Sequence, residues 1–347
     1  MGTFLPNTNI NSTAPEAKIH SSREMVSWII DSTWKNLQNP FIVGIIAIML
    51  SPWFSKRPYM LIRKLLKRLF RTRNERNIAV GPLTDVLEYG KIEWKGETKQ
   101  AEKMRKAYED IYLVHDIKNM RIIRGDNYCA LRAVLFQILC QGIPLPSWLR
   151  EQDISKLPEK IFTQGCNWLQ QYNFGPEKYT GNNVFGKLRK YLELFKEQWI
   201  NIYGIKDHAK RTDMCMNLFS EQENEYKMFE AMKFLMLCNV VELHENMRNG
   251  EDVPSFCDFL FARDSSPDPL SFMMNHLNNV GDTGGLEQIE MLLLGFTFHL
   301  KIRTFRLYKY GTEEFESCYQ ADSHREWYEV LLLTEDDRHY NVPINWT

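Results

Sequence analysis

The chain has 347 residues and a mass of 41.1 kDa, room for one large core with an extension or for two small cores. Hydrophobic residues make up 44%, charged residues 25% and aromatics 13%, which excludes a disordered chain. A net charge of −1 excludes bulk attraction to nucleic acid or anionic membrane. Seven scattered cysteines without a CxxC pair argue for reduced thiols and against a structural zinc site.

Residues 1–22 are polar, rich in Asn, Ser and Thr, and expected to be disordered. The opening Met-Gly is not a myristoylation signal, because Pro6 stands where Ser or Thr is needed. Residues 23–73 read as a membrane-associating segment. The run 40–54 (PFIVGIIAIMLSPWF) carries no charge, but at 15 residues it is short for a hydrocarbon core about 30 Å thick. Residues 56–73 follow with eight basic residues and no acidic one, and with Leu61, Leu65, Leu66, Leu69 and Phe70 at helical spacing. That is a basic amphipathic helix suited to an anionic surface. The competing reading is a buried helix beside a solvated basic face, but core helices seldom adjoin so one-sided a block of charge. Spanning and monotopic insertion remain open. If the run spans, the positive-inside rule places residues 56 onward in the cytosol and the sequon at Asn11 in the lumen.

Residues 74–82 read as a linker, and 83–347 as one domain without repeats. Helical periodicity is clear over 100–113, 129–141, 183–203, 223–248 and 284–296. Alternating runs at 300–309, 327–334 and 338–344 predict strands. Helices in the middle with strands at the end predict an α+β fold.

The chemistry concentrates at two places. In RIIRGDNYCALRAVLFQIL (Arg121–Leu139), a Gly-Asp-Asn turn precedes an apolar helix face, so Cys129 stands in a helix's first turn. Helix N-terminal amides favour a thiolate, and free amides of the Asp126–Cys129 turn would hold an oxyanion. Taken alone, Cys129 is as readily a small core residue. In EDDRHYNVPI (Glu335–Ile344), a strand over 338–342 would put His339 and Asn341 on one face, as base and orienter. Together these residues supply Cys–His–Asn chemistry of the papain-like kind. Eight dispersed histidines show no metal cluster, and no cofactor is implied. GDTGG at 281–285 lacks the Lys-Ser/Thr of a phosphate loop and reads as a turn. The basic stripe 56–73 has too few aromatics for RNA, so no nucleic-acid partner is expected.

GDNYCALR (Gly125–Arg132), FLMLCNVVELHE (Phe234–Glu245), LFARD (Leu260–Asp264), GDTGGLEQIEM (Gly281–Met291), TEEF (Thr312–Phe315) and EDDRHYN (Glu335–Asn341) together resemble the OTULIN family. The resemblance runs from about Val86 to the end. It implies a papain-like cysteine protease of the OTU fold that cleaves linear, head-to-tail polyubiquitin. It also implies Cys129 as nucleophile, His339 as base, Asn341 as orienter and Asp126 in the oxyanion turn. Asp336 matches an aspartate that can hold the histidine unproductively before substrate binds. Phe259 and Glu314 fall at positions contacting the distal ubiquitin and Trp94 at one near the proximal ubiquitin, with Phe259 replacing the family's leucine. The plain readings are core aromatics for Trp94 and Phe259 and a solvated turn residue for Glu314.

No peptide that docks a PUB domain is recognised; a membrane-type segment takes its place. WKGET (Trp94–Thr98), MRKAYE (Met104–Glu109) and Gln164–Tyr191 resemble the OTULIN-like branch, which is membrane-associated at the endoplasmic reticulum and inactive through loss of its nucleophile. Here Cys129, His339 and Asn341 are intact. The expectation is a deubiquitinase tethered to the cytoplasmic face of that membrane through residues 40–73, with ubiquitin chains as partner. The alternatives are an inactive OTU-fold scaffold at the same membrane and a cytoplasmic location.

Overall fold

A computed structural model of the chain describes residues 78–175, 183–320 and 326–345. All belong to a unit running from Asn74 to Thr347, divided from Met1–Arg73. The N-terminal region 1–22, the membrane-associating segment 23–73 and residues 74–77 of the expected linker lie outside the described residues.

Residues 80–82 are not linker but the start of β1 (Val80–Asp85), antiparallel to β2 (Asn119–Ile123). Gly81 and Pro82 disguised the strand. Pro is tolerated there because β1 is a sheet edge, where an N–H can be spared. Between these strands lie α1 (Val86–Glu93), capped by Asp85, and α2 (Lys99–Leu113), capped by Thr98. Helix α3 spans Cys129–Gln141 as its periodicity predicts, and Gly142 ends it at φ 68°.

The helical layer continues through α4 (Ser147–Arg150), α5 (Leu157–Thr163), α6 (Val184–Tyr203), α7 (His208–Leu218), α8 (Gln222–Arg248), α9 (Phe256–Phe261), α10 (Pro269–Asn275) and α11 (Gln288–Phe298). The helix expected from residue 284 starts later because Glu287 and Glu290 form a capping box. Strand β3 (Leu300–Arg306) stops short of 309, where the chain tightens into a 3₁₀ turn. It is followed by β4 (Glu316–Tyr319), β5 (Tyr328–Thr334) and β6 (Tyr340–Ile344). The six strands order as β1-β2-β6-β5-β3-β4, with β3 and β5 parallel and the other pairs antiparallel. The expected α+β class is what the chain adopts.

Both sheet faces are covered. Along β5, Val330 and Leu332 join the main core with α3, α6, α8 and α11, while Leu331 and Leu333 join a second cluster with α1 and α2. A strand buried on both faces reads as an unbroken apolar run. Helix α8, about 40 Å long at 1.5 Å per residue, carries three fully buried charges: Glu225, Glu230 and Lys233. Each is costly unless bonded, and Glu225 and Glu230 are bonded to residues flanking Cys129, with Lys233 paired to Glu230. Glu225 meets Arg132 and Arg124, and Lys233 bonds Glu230 and the Val280 carbonyl. The Tyr128 hydroxyl donates to Glu230.

Gly281, at φ 87°, lies against the Tyr128 ring, leaving no room for a Cβ. Gly281→Ala combines positive-φ strain with overpacking and should lower stability by about 2 to 4 kcal/mol. Urea unfolding checks this, and a loss within 0.5 kcal/mol, roughly that of an ordinary surface change, contradicts it.

Candidate active site

The turn before Cys129 is held by its own aspartate. One Asp126 carboxylate oxygen accepts the Tyr128 amide at 3.0 Å, and the two oxygens take Arg132 at 2.6 and 2.8 Å and Arg124 at 2.7 Å. Burial works to raise this carboxyl, but the two guanidiniums hold it below its ordinary value. The amides of Asp126, Tyr128 and Cys129 all bond within the turn. The expectation of free amides for an oxyanion is therefore corrected for these three, because a tight turn consumes its own donors. Asp126 lies in the turn as expected, with its side chain in a structural ion pair.

Asn341 lies on β6, 2% exposed. Its Oδ1 accepts the Ile123 amide at 2.9 Å and stands 3.2 Å from His339 Nε2. Since the Ile123 N–H can only donate, that oxygen is an acceptor and His339 must carry its proton on Nε2. The lone pair then falls on Nδ1, which is buried without a hydrogen-bond partner and lies beside Gly125 in the nucleophile's turn. This is the tautomer that a base for Cys129 would need.

The structure corrects how His339 is carried. It precedes β6 instead of lying within a strand, in the hairpin loop Glu335–His339 that follows the Thr334–Tyr340 pair. The cause is Asp336, whose Oδ1 accepts the amides of Arg338 and His339, both at 2.7 Å, and so diverts them from a ladder. Asp336 therefore holds the loop and not the imidazole, which rests on Asn341; the unproductive pose expected of it is not the pose here.

The Cys129 thiol, 4% exposed, donates to the Arg338 carbonyl at 3.3 Å. Burial pushes its pKa up to about 11, against the pull of the Tyr340 and Ala130 amides. Cys129 thus rests as a thiol whose S–H points at the carbonyl just before His339. To act as a nucleophile with His339 as its base, the thiol would have to leave that carbonyl for Nδ1.

The remaining expected residues lie apart from the triad. Trp94 is half-buried and donates from its indole to Glu335 at 2.7 Å, so it holds the first residue of the histidine loop without touching His339. Phe259 is 70% exposed on α9, not core. Glu314 is exposed and pairs with Lys309 at 2.6 Å. Sequence reading missed Glu335, Arg132, Glu225, Glu230 and Lys233. An Arg inside the apolar face of α3 and a Lys inside that of α8 were the available signals. It also missed the grouping of His276, Glu287 and Glu290, whose donor atoms lie within 4.8 Å of one another. Arg263 already bonds Glu290 at 2.9 Å and pairs with Glu287 at 3.5 Å, supplying the positive charge a cation would bring. The GDTGG loop turns its amides inward: those of Asp282, Thr283 and Gly284 bond the Asn279 carbonyl.

A cysteine at a buried helix start, a histidine in the fixed tautomer and an orienting asparagine, set on this α+β frame, define a papain-like cysteine peptidase of the OTU fold. The family model for peptidase family C101 matches residues 78–344, and the chain belongs to that family. It is a cysteine-type peptidase. Among solved structures, the chain resembles a ceOTUB1 ubiquitin aldehyde UBC13~Ub complex at TM-score 0.50 and 12% identity, covering 81% of this chain and 100% of that one. It also resembles an h/ceOTUB1-ubiquitin aldehyde-UBC13~Ub complex at TM-score 0.53 and 11% identity, covering 82% and 98%. At such identities the likeness carries the fold alone.

A thiol held up to about 11 predicts slow alkylation at neutral pH. Site-resolved mass spectrometry of chloroacetamide labelling should show the Cys129 rate still climbing toward pH 11. A rate already level by about pH 8, the range of ordinary cysteines, would show a thiolate formed at rest.

Proposed function

We propose that the chain hydrolyses linear, head-to-tail polyubiquitin in the manner of the OTULIN family. The observation that carries this reading is the His339 imidazole, fixed by Asn341 with its lone pair toward the turn of Cys129. It stands within the six family-like strings that include GDNYCALR and EDDRHYN. The neighbouring structures hold ubiquitin aldehyde, so a ubiquitin C-terminus is a ligand that this fold accommodates.

In the proposed cycle, Cys129 gives its proton to His339 Nδ1 and attacks the carbonyl of the peptide bond joining two ubiquitins. The bond to the leaving amine breaks as His339 returns the proton to it, leaving a thioester on Cys129. Water, deprotonated by His339, then attacks the thioester. The carboxylate leaves and the thiol is restored. Exposed Phe259 and Glu314 would receive the distal ubiquitin and Trp94 would lie near the proximal one.

The full chain should cleave linear diubiquitin at least about tenfold faster than lysine-linked dimers, a discrimination of roughly 1.4 kcal/mol. Cys129→Ala should abolish cleavage. Equal cleavage of all linkages sinks the linear assignment. No cleavage at all favours the scaffold reading, which the resting thiol on the Arg338 carbonyl also suits.

We also propose attachment to the cytoplasmic face of the endoplasmic reticulum membrane through residues 40–73. Among the described residues no helix is long and apolar enough to cross a membrane, so the case rests on the uncharged run and the eight basic residues after it. The full chain should float with phosphatidylcholine vesicles containing phosphatidylserine. Replacing four of the basic residues with Gln should weaken this at least about tenfold, at about 1 kcal/mol per charge near the surface. Unchanged flotation would remove the basic helix from the anchor.

A further inference from the structure

His339 ends a five-residue hairpin loop, and such loops are ordinarily the mobile parts of a domain. A base must instead be held to fractions of an ångström. Each loop residue before it has a hold. Asp336 bonds the Arg338 and His339 amides, and its own carbonyl accepts the Thr334 hydroxyl. Asp337 accepts the Tyr308 hydroxyl at an exposed site. The Arg338 carbonyl takes the Cys129 thiol, a bond that must break for reaction. These holds are local, exposed or temporary.

Glu335 differs from them. Half-buried, its Oε1 accepts the Trp94 indole at 2.7 Å and the Tyr108 hydroxyl at 2.6 Å, two donors from the α1–α2 layer on the far side of the sheet from α3. Tyr108 is 1% exposed; burial and the Glu335 charge hold its phenol well above its ordinary range, so it remains a donor at any working pH. Two neutral donors on one carboxylate oxygen make charge-assisted bonds, about twice as strong as neutral ones.

We infer that Glu335 is a positioning residue for His339. It clamps the histidine loop to the α1–α2 layer, so that the imidazole keeps its place while the thiol moves between the Arg338 carbonyl and Nδ1. This inference rests on the deubiquitinase reading for its kinetic consequence, but its structural consequence is independent of turnover.

The test uses the full chain with Glu335→Ala and Glu335→Gln, followed by diubiquitin kinetics, thermal unfolding and nuclear magnetic resonance of the His339 imidazole. Glu335→Ala should lower kcat about tenfold or more with KM within about twofold, as loss of orientation without loss of binding requires. It should also speed exchange of the Nε2 proton held by Asn341 at a temperature where the protein is folded. Glu335→Gln keeps the acceptor oxygen and should retain kcat within about threefold. Tyr108→Phe should lower kcat in the wild type and change nothing further in Glu335→Ala.

A wild-type kcat and unchanged imidazole exchange in Glu335→Ala overturn the inference. So does a fall in kcat that follows only the melting temperature, with exchange in the folded state unchanged. If the wild type cleaves no ubiquitin dimer, the functional reading fails by itself and the exchange measurement still decides the role of Glu335.

Discussion

The carbonyl oxygen of Asn341 is the point on which the site depends. It accepts the Ile123 amide, tying β6 to the end of β2 just ahead of the nucleophile's turn, and it takes the His339 Nε2 proton. The first bond settles which end of the amide faces the imidazole, and the second settles which ring nitrogen is basic. A change in β2–β6 register would rob the histidine of its tautomer, so sheet geometry and acid–base chemistry are one constraint.

The nucleophile's turn is secured differently. Asp126 closes it from within, and α8 supports it through Glu225 on Arg132 and Glu230 on Tyr128, with Lys233 paired to Glu230. Buried ion pairs add little net stability, yet breaking one is expensive. They therefore make one geometry of the turn far better than its neighbours. The amides of Asp126, Tyr128 and Cys129 are spent in the process, so little flexibility is left at the cysteine.

Rigidity on both sides contrasts with the resting thiol, which is buried, high in pKa and bonded to a backbone carbonyl. The His339 imidazole is already oriented, while the Cys129 thiol is still bonded elsewhere. The barrier left between the parts is the transfer of one sulfur from a carbonyl to a nitrogen, over a histidine loop held in place on each side.

Local pattern was enough to place α3, α6 and α8, because helical periodicity and caps are settled within a few residues. The chemistry of Cys129, His339 and Asn341 was legible as residue types at suggestive places. The loop character of His339 was hidden, because Asp336 captures two amides that the alternation of Arg338–Val342 assigned to a ladder. Strand β1 was hidden by Gly81 and Pro82, which only an edge position excuses. By itself the sequence determined an α+β chain with a thiol at a helix start and a His-x-Asn near its end. Only the tertiary structure decided that Ile123 meets Asn341 across 218 residues and Trp94 meets Glu335 across 241. Bonds between groups so far apart depend on strand register and layer packing, which are properties of the whole fold and leave no periodic trace in the chain.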